Sequence, residues 1–359
     1  MLFRKKKVED FEVEICEIIE EEIVEDNVCL SEVDDTPTED VELRVEDYVM
    51  TEDTFLSNDG DTDVAYYIFA PKSLRPKAII QLSHGMREYV LRYSGLAHAL
   101  CEKGYIFCGN DHLGHGYTAE SEDDLGFTAA GGGAAFIVKD VHKLTRIMKN
   151  KYPGLPVVLI GHGMGSLVAQ LYIEHYSDEI EAAVIVGTGS PDTHAALGKK
   201  LAKIIMVEKG EKSRSDLLDK LAFGGYNKKF KKETAPYAWL TRDEQAREIY
   251  DIDELCNYKL TARGFYDLFD MLDAVSRKDW AKKIDKDLPI LLMSGEMDPF
   301  GSYGKGVKKV YNRLRHAGVK DVTVRLYTDG RHQLFNEINK EVVIRNTIEW
   351  IEDKLEERY

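Results

Sequence analysis

The most constraining feature of the sequence is a stretch in which an apolar run turns sharply into a helical pattern. Residues 156–170 read Pro-Val-Val-Leu-Ile-Gly-His-Gly-Met-Gly-Ser-Leu-Val-Ala-Gln. The run at 157–160 has the composition of a buried strand, and Gly161-His162-Gly163-Met164-Gly165 leads directly into apolar residues at helical spacing. A strand that enters a helix through so tight a glycine-rich turn predicts a sheet covered by helices.

The same alternation continues on both sides of this turn. Strands are predicted at 64–69, 77–82, 105–108, 157–160, 180–186, 288–293 and 322–327. Helices are predicted at 91–100, 135–149, 166–175, 305–315 and 340–357. Because the strands are nearly all apolar, we expect a parallel sheet that is buried on both faces. The predicted fold class is therefore α/β, with a mostly parallel, doubly wound sheet.

The alternation stops over residues 190–285, which are mostly helical, charged and aromatic. A helical block inserted between strands predicts a lid over the carboxyl edge of the sheet, where ligand sites of open α/β sheets lie. Residues 1–45 form an acidic N-terminal extension, either a partly ordered tail or a segment that binds a partner. The core of the fold then comprises residues 46–189 and 286–359, with the lid between them.

Composition excludes several classes of protein. The chain carries a net charge of −16, whereas nucleic-acid binding requires a basic surface. No apolar stretch is long enough to span a bilayer, and the basic residues 4–7 are not followed by the apolar segment of a secretory signal. The five cysteines are scattered and form no CxxC motif. We therefore expect reduced thiols and a cytoplasmic protein.

Residue types that serve acyl transfer stand at the ends of several predicted strands. The turn at 161–165 has the layout of a nucleophile elbow, G-x-S-x-G, with Gly163 at the position of the attacking serine. Asp298 and His332 each follow a later strand, and this chain order of nucleophile, acid and histidine is that of an α/β-hydrolase sheet. Met86 and Met164 would each offer a backbone N–H to an oxyanion. The set predicts a serine-hydrolase site that needs no metal or organic cofactor.

These motifs resemble those of the monoacylglycerol lipase and lysophospholipase branch of the α/β-hydrolases, which is grouped with the serine aminopeptidase family. In the core the resemblance rests on His84-Gly-Met-Arg-Glu-Tyr89, Asp111-His-Leu-Gly-His-Gly116, Tyr152-Pro-Gly-Leu-Pro156, Ser294-Gly-Glu-Met-Asp298-Pro and Gly330-Arg-His332-Gln-Leu-Phe-Asn-Glu337. In the lid it rests on residues 239–243 and 261–267. The resemblance covers the chain from about residue 50 to its end. It implies an acyl ester or monoacyl lipid as substrate, with the acyl chain held beneath the lid.

Three positions depart from the family pattern. Tyr89 stands where the family has a second histidine and Leu113 where it has an arginine, and both changes leave the mechanism intact. Gly163 removes the attacking oxygen, although glycine relieves the backbone strain of an elbow, so the exchange is structurally easy. Engineered inactivation and natural loss both account for it. Ser166, one turn into the helix, and Ser190, after the next strand, are poor substitutes.

Three functions are compatible with this site. The first is a carboxylic ester hydrolase whose nucleophile position holds Gly163, and the second is a pseudoenzyme that binds an acyl lipid or ester. The third is an aminopeptidase, which would need an acidic lid residue such as Asp243, Glu244 or Asp267. A dinucleotide-binding interpretation of residues 161–165 fails, because the next strand does not end in an acidic residue.

Other residues in the lid and core have competing interpretations. Phe265 and Tyr266 are candidate substrate contacts, although packing explains such residues equally well. Residues 111–116 form a hydrogen-bonded loop rather than a metal site, because further ligands are lacking nearby in the sequence. Lysines around Phe230 provide either a solvated face or a transient contact with a membrane surface. Apolar residues in 201–207 form either lid core or an entrance for the acyl chain.

Overall fold

The computed structural model describes residues 48–189, 194–233 and 235–358. Within them, eight strands form one sheet in the order β1-β2-β4-β3-β5-β6-β7-β8. Strands β3 to β8 pair with one another in parallel, whereas β2 is antiparallel to both β1 and β4. The strands are β1 Tyr48–Leu56, β2 Asp63–Pro71, β3 Ile79–Ser83, β4 Ile106–Asn110, β5 Val157–His162, β6 Ala182–Val186, β7 Ile290–Gly295 and β8 Val322–Tyr327.

Helices connect the parallel strands and cover the sheet. In chain order they are α1 Ser94–Glu102, α2 Gly133–Lys151, α3 Met164–Tyr176, α4 His194–Lys209, α5 Asp216–Phe223, α6 Glu244–Ile252, α7 Ala262–Ser276, α8 Lys305–His316 and α9 Lys340–Glu356. Strand β5 shows why helices lie on both faces. Val157 and Leu159 point into a core formed with α2, α3 and α8, while Val158 and Ile160 point into a second core formed with α1 and α9. The predicted α/β fold with a mostly parallel, doubly wound sheet is confirmed.

The sequence did not reveal strand β1. It pairs with β2 along its whole length, from Tyr48 opposite Pro71 to Leu56 opposite Asp63. Its side chains are nearly all exposed, and Phe55 is the one that is buried. An edge strand that contributes so little to the core carries no apolar alternation. In the sequence, the acidic residues of β1 are therefore not distinguishable from those of the acidic extension. The predicted extension itself, residues 1–45, lies outside the described residues.

The segment between β6 and β7 contains α4 to α7, where the sequence predicts a lid over residues 190–285. These helices have a core of their own, in which Leu201, Ile205 and Phe265 are buried. Val207, at the end of the same apolar stretch, is 80% exposed. Phe230 is buried, with the guanidinium of Arg331 4.4 Å from its ring centre. Helices α4, α5 and α7 therefore share an apolar core.

Two further predictions bear on the described residues. Cys101, Cys108 and Cys256 are buried free thiols, as expected for reduced cysteines. None of the helices in the described ranges has the length and apolar character needed to cross a membrane.

Candidate active site

Gly163 forms the sharp turn between β5 and α3. The strand ends at His162 and the helix begins at Met164. The backbone of Gly163 has φ 57° and ψ −118°, a conformation that costs any residue with a Cβ on the order of 1–3 kcal/mol. The stretch therefore adopts the geometry of an elbow, and glycine adopts it without that strain.

The outer glycines of the turn allow the helix to approach the sheet closely. A Cβ on Gly165 would lie 2.0 Å from the carbonyl oxygen of Ser83 in the neighbouring strand. A Cβ on Gly161 would lie 2.3 Å from the carbonyl oxygen of Gly165. Both contacts are with backbone atoms, so neither position accepts a side chain without displacing a strand or the helix.

Asp298 and His332 meet at the carboxyl edge of the sheet, beside the turn. Asp298 lies in the loop after β7 and His332 in the loop after β8. His332 Nδ1 and Asp298 Oδ2 are 3.0 Å apart, and Asp298 is fully buried. The other carboxylate oxygen accepts a hydrogen bond of 2.8 Å from the N–H of Phe300, which fixes the orientation of the carboxylate.

The opposite nitrogen of His332 faces the elbow. A Cβ placed on Gly163 would lie 3.0 Å from His332 Nε2 and 3.5 Å from its Cε1. The next serine along the chain, Ser166, donates its hydroxyl to the carbonyl oxygen of Gly163 (2.5 Å) and is fully buried. The structure thus brings together positions 163, 298 and 332. Ser190 lies outside the described residues.

A small cavity of about 30 Å³ lies in front of His332. Met86 and Met164, the two predicted oxyanion donors, both line it, and Met164 is the first residue of α3. Phe223 and Trp239 of the lid also line it. A cavity of this size holds one or two water molecules, so an acyl ester requires movement of these lid side chains.

The lid is bonded directly to the loop that carries His332. The N–H of His332 donates to the carbonyl oxygen of Trp239 (3.4 Å), and the N–H of Gln333 donates to that of Leu240 (2.7 Å). The ring centres of Trp239 and His332 are 5.1 Å apart. The position of His332 and the surroundings of its ring therefore depend on the lid as well as on the sheet.

The buried carboxylate of Glu337 holds the loop that carries His332 through hydrogen bonds. Glu337 is fully buried and accepts hydrogen bonds from the N–H groups of Arg331 (2.9 Å) and Ile338 (3.0 Å). Arg242 of the lid donates its Nε to Glu337 at 3.0 Å. The carboxylate therefore joins lid and core while it shapes the turn that presents His332.

A second buried network, centred on Glu88, supports His332 from behind. His162 lies between Glu88 Oε2 (3.1 Å from Nδ1) and the carbonyl oxygen of His332 (3.0 Å from Nε2). The hydroxyl of Tyr93 donates to Glu88 Oε2 (2.8 Å), and the side chain of Gln333 donates to Oε1 (2.7 Å). The Tyr93 hydroxyl also lies 2.7 Å from Nδ1. A carboxylate beside Nδ1 and a carbonyl oxygen beside Nε2 favour a protonated His162 that donates from both nitrogens.

The charges of this network stabilise each other. Burial by itself would raise the pKa of Glu88, but the adjacent His162 and the other donors outweigh burial and lower the pKa to about 2. Burial by itself would lower the pKa of His162, but Glu88 raises it above its usual value. Glu88 lies in the family motif at residues 84–89, but the sequence alone did not predict that it is the buried carboxylate of this network. A lone acidic residue after a strand carries no signal of burial.

The loop at 111–116 is fixed by hydrogen bonds. The carboxylate of Asp111 accepts from the N–H groups of Val90 (2.8 Å) and Tyr117 (2.9 Å). Burial lowers the pKa of His112 to about 3 and that of His115 to about 4, so both rings are neutral at pH 7. In the described ranges, no three His, Cys, Asp or Glu side chains are grouped so as to hold a metal ion.

The predicted substrate contacts lie away from the cavity in front of His332. Phe265 is fully buried in the lid core, with its ring 6.1 Å from that of Phe223. Tyr266 lies beside Lys199 and Arg263. Their role in substrate binding stays a prediction. Sequence reasoning missed the lid residues that do line this cavity, which are Phe223, Tyr226, Trp239, Leu240, Tyr250 and Leu268.

The acidic lid residues already have structural partners. Asp243 accepts a hydrogen bond from the N–H of Ala246 (3.0 Å) and thereby caps α6. Both oxygens of Asp267 bind Arg263, at 2.8 and 2.9 Å. Glu244 is exposed and 3.6 Å from Arg247. Asp243 and Asp267 are therefore engaged within the lid, whereas Glu244 is not.

The sheet, the elbow, the Asp298–His332 pair and the inserted lid define the class of protein as an α/β-hydrolase. Residues 74–339 match the family described as serine aminopeptidase, S33. The chain belongs to this family.

Its similar proteins include ester hydrolases. Human monoglyceride lipase is 27% identical over 275 residues, which cover 73% of this chain and 78% of the human protein. Monoacylglycerol lipase of Mycolicibacterium smegmatis is 24% identical, covering 81% of this chain and 94% of the relative. The crystal structure of a thermostable carboxyl esterase from Bacillus coagulans in complex with glycerol is 26% identical and superimposes with a TM-score of 0.79, over 85% of this chain and 98% of the esterase.

Proposed function

We propose that this protein binds a monoacyl ester as a monoacylglycerol lipase does, in the site of a serine ester hydrolase whose nucleophile position holds Gly163. The observation that supports this most directly is the orientation of His332. Its Nδ1 is bonded to Asp298, while its Nε2 lies 3.0 Å from where a side chain at position 163 begins. A histidine base held in this way suits a hydroxyl nucleophile at the elbow.

With a serine at position 163, the reaction follows from the geometry. The serine oxygen attacks the ester carbonyl carbon while His332 Nε2 takes the hydroxyl proton, and Asp298 stabilises the imidazolium that forms. The N–H groups of Met86 and Met164 bind the oxyanion. Its collapse breaks the bond to the alcohol, which leaves with the proton from His332. A water molecule then cleaves the acyl-enzyme by the same steps.

With Gly163 this nucleophilic attack does not occur. Removal of a triad serine costs a factor on the order of 10⁶ in kcat, so the chain as it stands binds esters and turns them over very slowly. The strain-free elbow of Gly163 favours this role as an ester-binding pseudoenzyme. The aminopeptidase alternative has less support, because Asp243 and Asp267 are engaged within the lid and Glu244 is exposed.

The first test restores the hydroxyl. We expect Gly163→Ser to hydrolyse short acyl esters and monoacylglycerols at least 10⁴-fold faster than the parent chain, as an order-of-magnitude expectation. We also expect a fluorophosphonate probe to label residue 163 in this variant, which mass spectrometry can locate.

Two matched controls accompany this variant. Gly163→Ala imposes the same backbone strain without the hydroxyl and should remain inactive. The double variant Gly163→Ser with His332→Ala should lose the restored activity. If Gly163→Ser folds and is no faster than the parent, or if the parent hydrolyses esters in a manner that depends on His332, the proposal is wrong.

A further inference from the structure

Arg87 is a buried cation with a strained backbone, directly after the predicted oxyanion donor Met86. Its φ is +55°, in the left-handed region, where a non-glycine residue costs on the order of 1–3 kcal/mol. Its exposed fraction is 8%. Strain of this kind persists where the position of the side chain matters, so the surroundings of the guanidinium are informative.

The guanidinium has few hydrogen-bond partners within the protein. Nη1 donates to the carbonyl oxygen of Tyr258 (3.2 Å), and the group lies 5.0 Å from the ring centre of Phe223 and 5.8 Å from that of Tyr237. No carboxylate of the described residues lies within 4.0 Å of it. Its Nε and Nη2 have no described hydrogen bond and are not enclosed by protein. A largely buried guanidinium that keeps two donors open to a cavity is suited to a bidentate oxyanion.

Arg87 lines a second cavity, which is open to solvent, is otherwise lined by residues of the lid and has a volume of about 430 Å³. Arg87, Phe223 and Trp239 line both this cavity and the small one in front of His332, so the two cavities adjoin at these three residues. An ester whose carbonyl lies at His332 therefore reaches the larger cavity once either ring moves.

The charges around the larger cavity leave Arg87 as its buried cation. The ammonium of Lys259, also on its wall, pairs with Asp216. Asp219 is the acidic residue on the wall, and it is half-buried and beyond ion-pair distance of Arg87. An oxyanion bound at Arg87 would meet some repulsion from Asp219, which makes this residue a useful probe.

We propose that Arg87 binds a phosphate or carboxylate on the alcohol portion of the ester, so that this protein prefers anionic monoacyl esters to neutral monoacylglycerols. The proposal rests on the proposed function, because it places the anion beside an acyl ester bound at His332. It adds a specificity-determining residue that acts through charge and not through the chemistry of hydrolysis.

Binding can be measured on the parent chain, because Gly163 leaves the ester intact on the timescale of a titration. Isothermal titration calorimetry would compare three octanoyl esters, namely those of glycerol, glycerol phosphate and glyceric acid. We expect an anionic ester to bind about 10- to 100-fold more tightly than the neutral one, the range of a charge-assisted hydrogen bond to a buried group. Tight binding of both anionic esters would indicate recognition of any oxyanion, and tight binding of the phosphate alone would indicate a doubly charged group.

Four variants assign the preference to Arg87. Arg87→Gly relieves the positive φ and should fold, and Arg87→Gln keeps the side-chain length. Both should reduce the ratio of the Kd of the neutral ester to the Kd of an anionic ester to about 1–3. Asp219→Asn should increase the ratio. Lys228→Gln, which removes an exposed lid charge that does not line the cavity, should leave it unchanged.

The outcomes separate this proposal from the one it rests on. If the neutral and anionic esters bind the parent equally, or if both Arg87 variants keep the preference, the assignment to Arg87 is wrong and the proposed function stands. If none of the three esters binds, the proposed function is contradicted as well.

Discussion

Among single residues, Glu88 shows how a buried charge can support a site without touching the reacting atoms. Its carboxylate reaches His332 through His162, whose Nε2 lies 3.0 Å from the carbonyl oxygen of His332. Both side chains of the Glu88–His162 pair are 2% exposed. Removing one partner of such a pair leaves the other charge desolvated, which typically costs about 3–5 kcal/mol.

The two pKa shifts give the stability of the protein a defined pH profile. The pKa of Glu88 is lowered to about 2 from 4.5, so its contribution is present above pH 4.5 and is lost as the pH falls toward 2. The pKa of His162 is raised above 6.5, so its contribution is present below pH 6.5 and is lost as the pH rises through its folded-state pKa. We predict that the contribution of this pair to the free energy of unfolding is highest between about pH 4.5 and 6.5. Glu88→Gln should flatten the dependence of the free energy of unfolding on pH.

Urea denaturation from pH 3 to pH 9 would test this profile. Glu88→Gln should lower the free energy of unfolding near pH 6 by about 3 kcal/mol. Asp287→Asn removes a carboxylate from the exposed pair with Lys320 and should change little. A Glu88→Gln profile parallel to that of the parent would show that the ion pair does not contribute in this way.

Among the elements, the strand, elbow and helix around Gly163 are the best predicted part of the chain. The helix predicted at 166–175 is α3, Met164–Tyr176, because glycine-rich turns and apolar periodicity are local signals. Strand β1 was not predicted because its exposed side chains carry no such signal. The strand exists through its pairing with β2, a tertiary property that composition does not encode.

The close approach of α3 to the sheet gives a prediction for Gly165. In Gly165→Ala the new methyl group would lie 2.0 Å from Ser83 O and 2.5 Å from His84 O, both of them backbone atoms. We expect the free energy of unfolding to fall by at least about 3 kcal/mol, the upper range of overpacking. Gly95→Ala in α1, where a Cβ meets nothing within 4 Å, should instead stabilise the protein by up to about 1 kcal/mol. Equal effects of the two substitutions in urea denaturation would contradict the steric argument.

At the scale of the whole molecule, the order of the motifs along the chain predicted where Asp298 and His332 meet. It did not predict which lid residues surround them. Parallel strands bring Asp298 and His332 to one edge wherever the chain returns to the sheet, so their meeting followed from topology. The contacts of the lid did not follow, because they depend on how α4 to α7 pack against the core. Phe223 and Trp239 line the cavity at His332, whereas the predicted contact Phe265 faces the interior of the lid.

Lid and core are joined at the loop that carries His332, which predicts that they open together. Glu337→Gln places an amide N–H₂ against the Nε of Arg242 and against backbone donors, so at least one buried hydrogen bond is lost. We expect the free energy of unfolding to fall by about 2–4 kcal/mol. Hydrogen–deuterium exchange should increase in residues 239–242 of the lid and in 331–333 of the core to a similar extent.

Glu349→Gln is the matched control, because it makes the same chemical change in an exposed pair with Arg345 on α9, 4.0 Å apart. It should leave exchange in both segments unchanged. If exchange in Glu337→Gln increased in the lid alone, the two segments would open independently, and the hydrogen bonds of Trp239 and Leu240 to the His332 loop would not couple them. An increase in both segments would show that opening the lid also releases His332, so that entry of an ester and alignment of the base are one conformational event.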